Sequence, residues 1–169
     1  MKMSRHVVSK KEMKELYGRL RDIGLDAPFI TENQIEVEEK KGKKLYYISK
    51  IPIALEAPDF YPTVELLDAI KPGFKNITID NGAVPRILGG AKLFAQGIVE
   101  MDMGIKAEDT VFIRGIDGRY VAVGKPHWMR IKSWRQKRGR QQRYSFGAVR
   151  KTSNHCFIYV VEIFQNETR

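Results

Sequence analysis

The 169-residue sequence predicts an α+β protein of two domains, an α/β one followed by a β-rich one. Two observations carry that expectation. Up to about Pro72 the chain alternates capped helical patterns with paired strand patterns; beyond it, short strand patterns separated by turn residues dominate. The expected domains are residues 1–72 and 73–169.

The first helix is marked by Ser9 and Glu12, spaced as a capping box, and by Met13, Leu16, Leu20 and Ile23 on one helical face. Gly24 ends it, and Glu15 and Arg19 are spaced to pair across one turn. From Phe29 the pattern reads as strand. Ile35 and Val37 alternate with Gln34, Glu36 and Glu38, the polar turn Lys40 to Lys44 follows, and Leu45 to Ile48 returns as an antiparallel partner. A third strand, Ile51 to Leu55, contains Pro52, which cannot donate a ladder hydrogen bond; an edge strand or a strand end is therefore expected. "APDFYPT" breaks the chain, and Thr63 is placed to cap a helix running to Ile70, with Val64, Leu67 and Leu66 as its inward candidates. "KPG" at Lys71 to Gly73 closes the first domain.

In the second half, Ile77 and Ile79 alternate with Thr78 and Asp80, and Val99 and Met101 read as a similar alternation. Val111 to Ile116 and Tyr120 to Val123 flank an Asp117-Gly118 hairpin turn. The β-branched and aromatic run Cys156 to Phe164 reads as the closing strand.

Charge is the first functional signal. Of the 30 Lys and Arg residues, ten lie between Lys125 and Lys151, where there is no Asp or Glu; the other 20 match the chain's 20 acidic residues. The whole net charge of +10 therefore sits in segment 125–151. Such a field favours polyanions, nucleic acid first, because binding phosphates releases condensed counterions. A solvated tail that aids solubility is the competing reading. Trp128, Trp134 and Tyr144 are interleaved with the arginines, a composition suited to stacking on unpaired bases, or to a segment that orders only on a partner. No run of about 18 apolar residues and no secretory leader is seen, so a cytoplasmic protein is expected. One cysteine and three scattered histidines argue against a disulfide or a structural metal, and no cofactor is expected.

The segment "TIDNGAVPRILGGAKLFAQGI", Thr78 to Ile98, concentrates glycine and alanine in a charged chain. It reads as a strand, an Asp80-Asn81-Gly82 turn, a short helix from Ala83 to Leu88, a Gly89-Gly90 stop and an extended return through Ala91 to Phe94. It lacks the Gly-x4-Gly-Lys-Ser/Thr spacing of a phosphate loop and the Gly-x-Gly-x-x-Gly of a dinucleotide site, which disfavours a nucleotide enzyme.

These residues carry a resemblance. Asp80, Gly82, Ala83, Ile87, Gly90, Ala91, Leu93, Gly97 and Ile98 stand in the order and spacing of the PUA domain, and "DTVFIRGIDGRYVAVGKP" with its "AVG" after a hairpin continues the likeness to about Pro126. The preceding region, with "YPT" leading into a Leu-rich helix, is similar to the pre-PUA domain of small archaeal PUA proteins and of the translation-associated malignant T-cell amplified protein and ligatin family. The resemblance implies an N-terminal α/β pre-PUA domain and a PUA β-pseudobarrel of six strands with short helices. It also implies a non-enzymatic, RNA-binding protein of translation, ribosome function or tRNA and rRNA maturation, with structured RNA as partner and the ribosome or translation factors as further partners.

Mapped onto this chain, the implied contact strip is Gly90, Ala91, Lys92, Leu93, Phe94 and Gly97, with Arg86 beside it. Small residues there would let RNA approach backbone N–H groups. Phe94 is open to two readings, core or base platform. Lys125, Arg130, Lys132, Trp134, Arg135 and Arg138 of the basic segment complete the candidate RNA-binding residues; no catalytic residue is assigned. Two alternatives remain: an RNA-modification enzyme or its RNA-binding subunit, for which some seventy N-terminal residues without a visible catalytic motif are few, and a ribosome-assembly adaptor.

Overall fold

The structure, a computed structural model, describes residues 4–91, 93, 97–106, 108–126, 144–147 and 160–165. They divide into two compact units, with Pro72 closing the first and Gly73 opening the second.

The first unit holds β1 (Ser4–Val7), α1 (Lys10–Asp22), α2 (Phe29–Glu32), β2 (Ile35–Lys40), β3 (Lys43–Ile48), β4 (Ile51–Glu56), β5 (Phe60–Pro62) and α3 (Val64–Ile70). The strands form one antiparallel sheet in sequence order. At the start of α1, Ser9 Oγ accepts from the Glu12 N–H at 3.2 Å while the Glu12 carboxylate accepts from the Ser9 N–H at 2.8 Å. Its end is equally local: Gly24, at φ 90°, donates to the Arg21 carbonyl and Leu25 to that of Leu20, both at 2.8 Å, which satisfies two carbonyls the helix leaves over. Thr63 caps α3 as expected, its Oγ1 accepting from the Leu66 N–H at 3.2 Å.

Several expectations need correction. Phe29–Glu32 is a single helical turn rather than strand, and β1 and β5 carry no alternation strong enough to announce them. β4 is an interior strand, between β3 and β5. Pro52 is tolerated because it lies second in the strand, opposite Tyr47 at a register shift, and outside the stretch of β4 that pairs with β5. The buried residues of α3 are Leu66 and Leu67, while Val64 is half-exposed. Arg19 does not pair with Glu15, which faces Lys11; its guanidinium meets Glu56 at 3.1 Å and lies 4.5 Å from the ring centre of Phe60.

The second unit holds β6 (Asn76–Ile79), α4 (Ala83–Leu88), β7 (Ile98–Met101), β8 (Val111–Gly115), β9 (Tyr120–Pro126), β10 (Tyr144–Gly147) and β11 (Val160–Gln165). They make a six-stranded sheet in the order β10-β11-β9-β8-β6-β7, with β6 parallel to β8 and β11 parallel to β9. Cys156–Tyr159, the first part of the expected closing strand, lies outside the described residues. The alternation read for β6 does not hold: all four residues are buried, so both faces of the strand are covered, while β7 and β8 pair with its two edges. Its polar members find partners. Asn76 accepts from the Tyr120 hydroxyl at 2.8 Å, and Thr78 Oγ1 accepts from Arg114 Nε at 3.2 Å. In β7 a register shift opposite Thr78 and Ile79 leaves Val99 exposed, and Met101 is the buried residue. Ile77, Ile79, Ile87, Met101, Ile105, Val111, Ile113 and Ala122 form the core of this unit.

Candidate nucleic-acid interface

The small-residue segment folds as a chain of local hydrogen bonds. Asp80 Oδ1 accepts from the Ala83 N–H at 2.7 Å, while the Asp80 carbonyl accepts from Ala83 at 3.1 Å and Val84 at 3.3 Å. One aspartate thereby turns β6 into α4, as short acceptor side chains do at turns. Pro85 falls early in α4, where its missing N–H costs nothing. The Asp80 N–H reaches across to the Gly97 carbonyl at 2.9 Å, pinning the return of the segment beside its departure.

The end of α4 is closed as tightly as that of α1. Gly89 donates to the Pro85 carbonyl at 2.9 Å, Gly90 to Ile87 at 3.0 Å and Ala91 to Arg86 at 2.8 Å. Gly90 sits at φ 86°, the left-handed position that ends such a helix. The N–H groups of residues 89–91 are thus all committed to the helix end. The expectation that RNA would take hydrogen bonds from this backbone is corrected for Gly90 and Ala91: their smallness serves the chain reversal and leaves an open surface.

The six residues of the implied strip and Arg86 separate into three groups. Arg86, Gly90 and Ala91 are exposed, and Leu88, which the sequence reading left out, is 43% exposed beside them. Leu93 belongs to the interior, and Gly97 is half-buried with no room for a side chain. Leu93 is 2% exposed within the core cluster, and a Cβ on Gly97 would stand 2.8 Å from the Cβ of Ala83. These two residues hold the strip rather than present it. Lys92 and Phe94 lie outside the described residues, as do Arg130, Lys132, Trp134, Arg135 and Arg138. Lys125 is half-buried on β9, where Glu162 of β11 is its register partner.

Elsewhere in the unit Lys75, Asp102 and Asp109 have structural tasks. Lys75 meets Asp109 at 3.1 Å, and Asp109 also accepts from the Lys106 N–H at 2.8 Å. The Asp102 carboxylate accepts from the Asn76 N–H at 2.8 Å. Among the described residues no group of three or more His, Cys, Asp or Glu side chains is placed to hold a metal ion, and no helix is long and apolar enough to cross a membrane. The exposed features at the end of α4 are a cation, an apolar side chain and a bare backbone reversal, an arrangement that can meet a phosphate and a sugar or base together.

Comparison with known proteins adds to this geometry. The family model described as the PUA domain matches residues 75–129, and that of a domain of unknown function, DUF1947, matches residues 4–70. An uncharacterized protein of Methanocaldococcus jannaschii is 32% identical over 119 residues, covering 64% of this chain and 69% of the relative. A conserved PUA domain protein of Thermoplasma acidophilum, of known structure, superposes with a TM-score of 0.73 at 33% identity, covering 92% of this chain and 93% of that one. A probable tRNA pseudouridine synthase B of Methanococcus maripaludis is 38% identical over 52 residues, 31% of this chain and only 16% of the synthase.

Proposed function

Because this chain belongs to the family of PUA-domain proteins that carry an N-terminal DUF1947 region, we propose that it binds structured RNA, tRNA or rRNA, without catalysing a reaction on it, and that it serves translation, ribosome function or RNA maturation. PUA domains are generally RNA-binding modules, and the likeness to a tRNA-modifying enzyme falls within residues this chain shares with only a sixth of that enzyme. The observation that carries the reading is the exposed end of α4, with Arg86, Leu88, Gly90 and Ala91 on the matched domain. In this reading Arg86 and Lys92 neutralise phosphates, Leu88 and Phe94 offer apolar contact, and Gly90 and Ala91 leave room for the sugar. Arg130, Lys132, Trp134, Arg135 and Arg138, with Lys125 at the start of the basic segment, add phosphate and stacking contacts that do not read sequence. The ribosome as the setting is part of this proposal and is taken from the sequence resemblance of residues 16–63 to the pre-PUA domain of the translation-associated malignant T-cell amplified protein and ligatin family.

The test is filter binding of tRNA and of rRNA fragments across a salt series, against an unrelated acidic polymer. Tighter binding to RNA at every salt concentration is expected; equal binding would overturn the reading. Arg86→Gln should weaken binding and lower the salt slope by about one, at unchanged thermal stability.

A further inference from the structure

The polar turn between β2 and β3 carries a charge cluster that the α4 surface does not use. Lys40, Lys41, Gly42, Lys43 and Lys44 form the tip of this hairpin, and Lys40 and Lys43 are direct cross-strand partners. Like charges facing each other across a ladder oppose pairing. The turn itself has Lys41 at φ 51° and Gly42 at φ 73°. Two-residue hairpin turns of this sense favour Asn-Gly or Asp-Gly, whose first side chain tolerates the left-handed region, and a long side chain such as lysine is disfavoured there.

Nearby carboxylates do not balance the tip. Glu39 is the register partner of Lys44, and Lys44 also acts on Glu12; Glu56, opposite Lys44 on β4, is engaged by Arg19. Glu38 is taken by Arg5 and by the Tyr47 hydroxyl. Lys40, Lys41 and Lys43 are exposed, and their side chains make no ion pair or hydrogen bond with any described residue. Three ammonium groups thus project from one strained turn whose local chemistry would be better served by other residues. Departures of this kind from local consistency are kept at functional sites, and the cluster of three lysines, not the left-handed lysine alone, sets this turn apart from Lys50, Lys71 and Lys75, which share that backbone region.

We propose that the β2–β3 tip is a second nucleic-acid contact, in which Lys40, Lys41 and Lys43 engage the phosphate backbone of structured RNA. Lysine is a flexible point charge suited to phosphates, and contacts to the phosphate backbone carry no sequence information, so the tip adds affinity and no sequence preference. The inference rests on the RNA reading of the second unit. Charge complementarity alone would also fit an anionic lipid surface, but the tip has no apolar side chain to enter one: Leu45, the nearest, is half-buried.

The experiment uses the full chain and tRNA. The variant Lys40→Gln/Lys41→Gln/Lys43→Gln should bind severalfold more weakly near physiological salt, with a salt slope shallower by about two to three. The matching triple Lys→Arg variant should keep the slope. Lys41→Asn separates charge from fold: it should raise the unfolding temperature while lowering the slope by about one. A glutamine variant with wild-type affinity and slope would overturn the proposal and leave the RNA reading intact, whereas a wild-type chain that fails to bind RNA would overturn both. Unchanged RNA binding with lost binding to phosphatidylserine vesicles would assign the tip to a lipid surface and overturn it as well. A lowered unfolding temperature in Lys41→Asn with unchanged binding would assign the lysine to the fold alone and so count against the proposal.

Discussion

Glycines close together in sequence perform different tasks here, and the difference is measurable. At Gly97 a Cβ would meet the Cβ of Ala83 at 2.8 Å, an atom fixed to the backbone that cannot swing away, and the Cδ1 of Leu93 at an ordinary 3.5 Å. Gly97→Ala should therefore destabilise the second unit by about 1–3 kcal/mol, an overpacking cost visible in thermal unfolding. Gly90 has open space around its Cα but stands at φ 86°. Gly90→Ala should cost about 1–2 kcal/mol through backbone strain alone, and Gly90→Asn less, because asparagine tolerates that region. The spacing of these glycines was legible in the sequence; which of them faces solvent was not, since that depends on Leu93 turning into a core built by distant strands. At Tyr46 the consequence of packing is a shifted titration. Burial, then the neighbouring Glu56 carboxylate, pushes its phenol from 10.0 up to about 12. A hydroxyl whose folded pKa is raised contributes stability that is fully present below pH 10 and is lost as pH rises through about 12. Tyrosinate absorbance should show a late phase coinciding with unfolding of the first sheet, and Tyr46→Phe should remove that phase.

Among the elements, α1 shows how far local chemistry reaches. Its capping box, its amphipathic face and its glycine stop all lie within about five residues of their partners, so the helix could be read correctly from sequence. Ser9→Ala should cost about 1 kcal/mol in the stability of the first unit. The Glu12 carboxyl is held below its ordinary 4.5, first by the hydrogen bond from the Ser9 N–H. Because its folded pKa is depressed, that contribution is present above 4.5 and fades as pH falls through the lower folded value. Acid titration of unfolding should show this loss in the wild type and not in Glu12→Gln. Strands behaved differently. β1 has a single apolar side chain beyond its start, Val7, and that is 53% exposed; its place in the sheet follows from pairing with β2 and from Arg5, stacked 4.0 Å from the ring centre of Tyr47 and bridged to Glu36 and Glu38. None of these partners is near in sequence, which is why the strand escaped a reading based on alternation.

Across the whole molecule the division of charge and of structure leads to one further expectation. RNA binding that used both the α4 surface and the basic segment should fall steeply with salt, whereas thermal stability should change little, because the apolar cores and not the excess lysines and arginines hold the two units. Filter binding and thermal unfolding measured over one salt series would show the two responses diverge. Elements whose signals are local were legible in the residues alone: the capped α1 and α3, the Asp80 turn, the short α4 with its glycine stop, the hairpins, and the order of residues that marks a PUA domain. So was the location of the positive charge. Three-dimensional packing sets the rest: β4 is interior despite Pro52, β6 is buried on both sides, Leu93 lies beneath the surface instead of forming it, and the N–H groups of Gly90 and Ala91 are already spent. The physical reason is the range of the interactions. Caps and turns are satisfied within a few residues, whereas burial depends on which strands become neighbours, and β6 meets β8 in parallel only after some thirty intervening residues have been folded away.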